Sequence, residues 1–273
     1  MNTYLKSVFA SLLIICPVHL PAADFEIRTA VIGTVIKIDG EIVKGDYQKF
    51  IEKSKNALSV SQGNGKTVWV SITSKGGDLL EAIRIGQAIR EMRIFTIMDS
   101  ECFSACFFIL VSGVHRLGPS LGINGILAVH RPFFKPTYFA GLSSRLAEEK
   151  YNQLLQESSH YLREMGVSDR LIDFIKSVPS GELVRVSSQE YDKEVGLQIP
   201  YWQEWITSKC GPELKGQELE DYKKVLGAGI VGEEAPFSSG YADFLKSKVK
   251  DQFDCKRKVG QETQVESMRR FLR

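Results

Sequence analysis

Short apolar runs alternate along the chain with segments whose apolar residues recur every three or four positions. Runs rich in β-branched residues predict one or two strands in 26–42 and single strands at 66–73, 94–100 and 125–130. Helical spacing between these runs predicts helices at 45–58, 79–92 and 104–113. Strands that alternate with helices of this length predict an α/β fold, with a mainly parallel sheet and helices outside it.

The later part of the chain is more helical and then more polar. Residues 142–176 are mostly of helical pattern, and 187–196 predicts a short helix ending at Gly196. From Pro200 onward the chain becomes polar and Gly-rich and ends in a basic tail, which we interpret as a solvated surface. The pattern predicts one domain over 24–199 and a C-terminal appendage over 200–273.

The N-terminus has the pattern of a secretory leader. An early charge, Lys6, is followed by an apolar run from Val8 to Cys16, a breaker at Pro17 and the small residues Ala22 and Ala23. The alternative is a membrane anchor, but the run falls short of the roughly 20 residues that span a bilayer. We expect a signal peptide over 1–23, cleavage after Ala23, and a soluble periplasmic protein.

Charge and cysteine content change this picture only slightly. The formal net charge of +2 gives no indication of a nucleic-acid partner. Cys102, Cys106, Cys210 and Cys255 follow the leader, and export permits disulfides. Cys210 and Cys255 both lie in the polar appendage, so we predict that they pair. Cys102 and Cys106 then pair with each other or stay reduced.

Three short motifs fall at predicted strand-to-helix junctions: SKGGD at 74–78, CFSAC at 102–106 and VHRP at 129–132. A glycine pair lets a substrate approach the backbone amides. A serine at a helix start lies near the positive end of the helix dipole, and an imidazole can remove its proton. Taken singly, these motifs are more often a turn, a helix cap and a structural histidine. Their order and spacing favour a hydrolase site.

The stretches VSITSKGGDLLEAIRIGQAIRE, CFSACFFILVSGVHRLG and AVHRPFF, followed by a long helix, resemble the Clp protease proteolytic subunit family. The likeness covers 31–197 and is to an exported, periplasmic branch of the ClpP/crotonase fold. The resemblance implies a spiral of ββα units with Ser104 as nucleophile and His130 as general base. It also implies oxyanion donors at the amides of Gly77 and Ala105, substrate contact at Gly76, and a homo-oligomer.

The third member of a catalytic triad departs from the family pattern. The family's aspartate aligns with Leu183 or Val184, and neither is acidic. Glu182 is adjacent and is the candidate third member, while Asp173 lies upstream. Lys75 is an alternative base in a Ser-Lys dyad, although His130 fits the position better.

These features predict an ATP-independent serine peptidase, or a related hydrolase, of the cell envelope that acts on a peptide or protein. We expect no cofactor and no metal site, because paired metal-ligand spacings are absent from the sequence. No nucleotide-binding motif appears, so we expect no ATPase partner. One alternative is a non-catalytic binding or assembly protein that has lost the triad acid. Another is a Cys102/Cys106 redox pair, whose spacing is one residue longer than the usual motif.

Overall fold

The computed structural model describes residues 22–119, 125–231 and 236–273. The predicted leader therefore lies outside the described residues, except for Ala22 and Ala23. Ala23 is buried, and its amide donates a hydrogen bond to the carbonyl of Glu41 at 2.7 Å. No helix in these three ranges is both long and apolar enough to cross a membrane.

Seven strands form one mixed sheet: β1 (Asp24–Thr29), β2 (Thr34–Asp39), β3 (Val68–Ser74), β4 (Phe95–Phe103), β5 (Arg116–Leu117), β6 (Ile126–Val129) and β7 (Val184–Arg185). Their order is β1-β2-β3-β4-β6-β7, with β5 paired to β4. Strands β2, β3, β4 and β6 run parallel, and β1 and β7 are antiparallel edges. The central strands are covered on both faces, and five of the seven residues of β3 are buried.

Ten helices accompany the sheet in the described residues: α1 (Asp46–Asn64), α2 (Leu79–Glu91), α3 (Ala105–Leu110), α4 (Pro136–Phe139), α5 (Ser144–Glu164), α6 (Asp169–Ser177), α7 (Ser188–Glu194), α8 (Pro200–Cys210), α9 (Gly216–Val231) and α10 (Ser239–Phe271). The main core lies between the sheet and helices that include α1, α2 and α3. The predicted α/β fold class is confirmed.

The segment 142–176, predicted as mostly helix, consists of two helices. Helix α5 ends at Glu164, and Gly166 then adopts a left-handed φ of 74°. Ser168 caps the next helix, α6, by accepting a hydrogen bond from the amide of Leu171. Glycine takes the left-handed conformation at little cost, so the break occurs there.

The C-terminal segment is anchored on the sheet. The buried side chain of Gln264 in α10 accepts a hydrogen bond from the amide of Val68 at 2.7 Å. Its amide group donates to the carbonyls of Val68 at 3.1 Å and Arg93 at 2.9 Å. Cys210 and Cys255 form a disulfide between α8 and α10, the pairing predicted from the sequence. The boundary between 199 and 200 stays a prediction.

Candidate active site

Ser104 occupies the sharp turn between β4 and α3. Its backbone has φ 54° and ψ −120°, and in the described residues only Arg93 shares a positive φ among non-glycine residues. Such a conformation costs a non-glycine residue on the order of 1–3 kcal/mol and is concentrated at functional sites. A strained turn from strand to helix is also how hydrolases expose a nucleophilic serine.

The Ser104 hydroxyl does not cap the helix that it precedes. Four other serines, Ser143, Ser168, Ser187 and Ser238, begin helices in an extended conformation, and the side chain of each accepts a hydrogen bond from a backbone amide. Ser104 makes no such bond. The ordinary structural role of a serine at a helix start therefore does not apply at this position.

Backbone bonds hold the turn on the β6 side. The amide of Ser104 donates to the carbonyl of Ala128 at 3.0 Å, and the carbonyl of Ser104 accepts from the amide of Phe107 at 3.0 Å. Cys102 and Cys106, two residues before and after the serine, are joined by a disulfide and are fully buried. Of the two states left open by the sequence, the structure contains the paired one.

The glycine loop after β3 lies directly against this turn. Gly76 has φ 100°, and a Cβ atom placed on it would lie 2.8 Å from the Cβ of Ser104 and 3.2 Å from the amide nitrogen of Ala105. Gly77 has φ 136°, and a Cβ there would lie 2.1 Å from the carbonyl oxygen of Ile42. Both positions need glycine, because any side chain would collide with neighbouring backbone.

Two backbone amides at this junction have no hydrogen-bond acceptor among the described residues. Ile42 bonds to the carbonyl of Gly76 and the amide of Asp78, which leaves the exposed Gly77 amide without an acceptor among the described residues. Ala105 is the first residue of α3, so its amide has no carbonyl one turn earlier in the helix. These are the two donors that the sequence resemblance implies.

His130 follows β6 at the same edge of the sheet. Phe103 pairs with Ala128 in parallel register, so the residues that follow each strand lie side by side. The His130 Nδ1 lies 2.9 Å from the carbonyl oxygen of Arg131. Since a carbonyl only accepts, Nδ1 carries the hydrogen, and the neutral ring keeps its lone pair on Nε2. The ring of Phe133 covers one side at 5.4 Å between centroids.

The structure brings Ser104, Gly76, Ala105 and the β6 end together but forms no hydrogen bond between Ser104 and His130 within the described residues. Glu182 is exposed, and its amide donates to the carbonyl of Pro179 at 3.1 Å. Its carboxylate has no hydrogen bond or ion pair in the described part of the chain. Its role as third member stays a prediction.

The other ionisable side chains considered from the sequence have different partners. The Lys75 ammonium lies 4.0 Å from the Glu101 carboxylate. Asp173 pairs with Lys176 at 3.2 Å. The sequence did not indicate the contact between His130 Nδ1 and the Arg131 carbonyl, since a main-chain oxygen has no residue type by which a sequence pattern could mark it.

No protein-family model matches the chain, and the search of curated proteins finds no match. Among solved structures, the chain is similar to ClpP1 from Listeria monocytogenes, with 15% identity, coverage of 60% of this chain and 88% of that chain, and a TM-score of 0.45. A mutant of ClpP1 from Listeria monocytogenes gives 14% identity, coverage of 62% and 93%, and a TM-score of 0.45. Likeness at this level carries no information about the site residues.

Proposed function

We propose that this protein is an ATP-independent serine peptidase, or a related hydrolase, with Ser104 as its nucleophile and a peptide or protein as its substrate. The observation that carries the proposal is the backbone of Ser104. A strained, left-handed serine at a strand-to-helix turn, whose hydroxyl makes no cap, has a conformation that suits nucleophilic attack and serves no evident structural purpose.

The reaction uses groups of the carboxyl edge of the sheet. His130 Nε2 takes the proton of Ser104 Oγ, and Oγ attacks the substrate carbonyl carbon. The amides of Gly77 and Ala105 bind the oxyanion. His130 then gives the proton to the leaving group as the bond to the acyl carbon breaks. A water molecule that His130 deprotonates attacks the acyl-serine, and His130 returns that proton to Ser104 Oγ as the acid product leaves. Oγ and Nε2 come within hydrogen-bond distance in the substrate complex, since catalytic hydrogen bonds are often longer without substrate.

The Arg131 carbonyl takes the orienting role in this dyad. Its hydrogen bond at 2.9 Å holds the proton on His130 Nδ1, which is the tautomer that leaves Nε2 free to act as base. A neutral carbonyl stabilises the imidazolium less than a carboxylate does, so we expect slower turnover than in enzymes with a complete triad.

A second candidate function is non-catalytic binding or assembly. It is favoured by one observation: in the described residues no acidic side chain accepts a hydrogen bond from His130, and His130 does not reach Ser104. In this case the site binds an extended peptide without cleaving it.

The proposed location is the periplasm, after export and removal of residues 1–23. Two disulfides in one chain support an oxidising compartment. N-terminal sequencing of protein from a periplasmic fraction checks this, and we expect the mature chain to begin near Asp24. We also propose a homo-oligomer, as the resemblance to the Clp protease subunits implies, and a molar mass in solution checks it.

Labelling with a fluorophosphonate tests the catalytic proposal. We expect wild-type protein to be modified at Ser104, as mapped by mass spectrometry of peptides. Ser104→Ala removes the labelling, and His130→Ala lowers its rate by at least about 10³-fold, because the base is lost. Ser168→Ala is the matched control, since it removes a serine hydroxyl that caps a helix and should label normally. Wild-type protein that does not react favours the binding function.

Glu182→Gln tests whether the Arg131 carbonyl or the Glu182 carboxylate orients His130. If the Arg131 carbonyl orients His130, the labelling rate should stay within about threefold of wild type. A fall of roughly 10²–10⁴-fold would instead assign the role to Glu182, by analogy with triads whose acid is altered. Asp173→Asn is the matched control, because this carboxylate pairs with Lys176.

A further inference from the structure

The Cys102–Cys106 disulfide encloses the proposed nucleophile. Cys102 is the last but one residue of β4, Cys106 is the second residue of α3, and Ser104 lies midway between them. Their Cα atoms are 5.2 Å apart. The bond therefore closes a five-residue ring over the end of a strand, the strained turn and the start of a helix, which fixes the two ends of the turn against each other.

The pairing of β4 with β3 does not hold this turn by itself. Ile72 pairs with Met98 and Ser74 pairs with Cys102, so β3 advances by two residues while β4 advances by four. The ladder is thus irregular immediately before the turn, as it often is beside active sites. On this side, the covalent bond supplies a constraint that backbone pairing lacks.

A constraint is needed because the backbone conformation of Ser104 is strained. With φ at 54°, the residue gains by moving to a right-handed or extended conformation unless its surroundings prevent it. Such a movement changes the direction of the Cα–Cβ bond and carries the hydroxyl out of the position that the proposed mechanism requires. A displacement of about 1 Å is enough to lower a rate by 10²-fold.

We propose that the Cys102–Cys106 disulfide is a positioning device that holds Ser104 in its reactive conformation. The inference rests on the proposed function. Both cysteines are fully buried, so the bond is a permanent clamp and not an exposed redox switch. Cys210 and Cys255 are only partly buried and lie in the C-terminal segment, and their disulfide has no positioning role at Ser104.

The test compares the double variant Cys102→Ala/Cys106→Ala, called the clamp variant, with the control variant Cys210→Ala/Cys255→Ala. Each variant removes a whole disulfide and leaves no unpaired thiol from it. In the chain-entropy model a longer closed loop stabilises more, so the control should lose more stability than the clamp variant. We therefore expect the control variant to lose more stability and the clamp variant to lose more reactivity.

The measurement is the rate of fluorophosphonate inactivation as a function of reagent concentration, alongside urea unfolding. We expect the clamp variant to lose about 10²-fold in the maximal inactivation rate, with little change in the concentration of half-saturation. The control should keep its rate within about threefold. If the clamp variant does not fold, Cys102→Val/Cys106→Ala replaces it, because valine suits a strand and fills more of the buried volume.

A second measurement uses the unsubstituted mature chain, which lacks Cys16 and has four cysteines. Graded reduction by a phosphine should open Cys210–Cys255 first with no loss of labelling, and labelling should fall as the thiol count rises from two to four. Three outcomes would overturn the proposed positioning role of the disulfide and leave the proposed function standing. They are labelling at the wild-type rate by a chain with four thiols, labelling at that rate by the clamp variant, and equal losses in the clamp and control variants. Wild-type protein that fails to label overturns both.

Discussion

At the scale of single residues, Ser104 has a strained backbone, and no structural role of its side chain offsets the strain. Its hydroxyl gives nothing to the helix that follows, and its backbone stores on the order of 1–3 kcal/mol of strain. The four capping serines do the opposite, because they relax the backbone and satisfy an amide. A chain that needed only a turn at this position would be more stable with glycine.

Substitution of Ser104 by alanine should therefore cost less stability than the same substitution of a capping serine. Ser104→Ala should leave the free energy of unfolding within about 0.5 kcal/mol, since no cap is lost, whereas Ser168→Ala should cost about 1 kcal/mol. Ser104→Gly should be more stable than Ser104→Ala by about 1 kcal/mol, because glycine accepts φ 54° without strain. Urea unfolding of the three variants measures these differences. A cost of Ser104→Ala equal to that of Ser168→Ala would identify Ser104 as an ordinary cap.

At the scale of elements, the sequence predicted what local periodicity determines. The buried strand at 66–73 and the amphipathic helix at 79–92 were located closely, because an apolar run or a 3.6-residue period suffices to define them. The break at Gly166 was not predicted, since a glycine in a helical pattern is often tolerated. The left-handed Ser104 depends on packing against the distant Gly76 and Ala128, which no local pattern contains. The His130–Arg131 contact is local, but its acceptor is a main-chain oxygen that no residue type marks.

One buried side chain joins the ends of three helices. The guanidinium of Arg116 donates to the carbonyls of Val111, Met165 and Val195, which terminate α3, α5 and α7, and to that of Gly196. Burial lowers the pKa of Arg116 to about 10, so the group stays charged at neutral pH. The partial negative charge at the helix ends replaces a carboxylate counter-ion.

Arg116→Met should therefore be strongly destabilising. Methionine fills a similar volume but leaves the carbonyls of three helix ends without donors, and we expect a loss on the order of 3–5 kcal/mol in the free energy of unfolding. Arg145→Met is the control, because the exposed Arg145–Glu149 pair at 2.9 Å should contribute less than about 1 kcal/mol. Similar small losses in both variants, measured by urea unfolding, would show that water or rearranged backbone satisfies the helix ends.

At the scale of the whole molecule, His115 lies where the sheet meets the C-terminal segment. Its ring contacts Trp69 of β3 and Phe95 of β4 at 5.7 and 5.5 Å between centroids. Gln198 donates a hydrogen bond to its Nδ1 at 3.2 Å, which requires the proton of the neutral ring to be on Nε2. Burial, and to a smaller extent the charge of Lys256 in α10, lower the pKa of His115 to about 4, while Glu213 acts in the opposite direction.

This depressed pKa predicts acid destabilisation in a defined range. Between pH 6.5 and pH 4 the unfolded chain binds a proton at His115 that the folded chain does not, so stability is full above pH 6.5 and falls as the pH decreases. Because the side chain is only partly buried, we expect a loss on the order of 2 kcal/mol across the range.

His115→Phe keeps a ring against Trp69 and Phe95 but cannot titrate, so urea unfolding at pH 7.5 and pH 5 should show a smaller decrease for this variant than for wild type. His160→Gln, at an exposed histidine paired with Glu164 on α5, should behave as wild type. Equal decreases in wild type and His115→Phe would mean that carboxylates alone account for the acid sensitivity, and that the contact between sheet and C-terminal segment tolerates a charged ring.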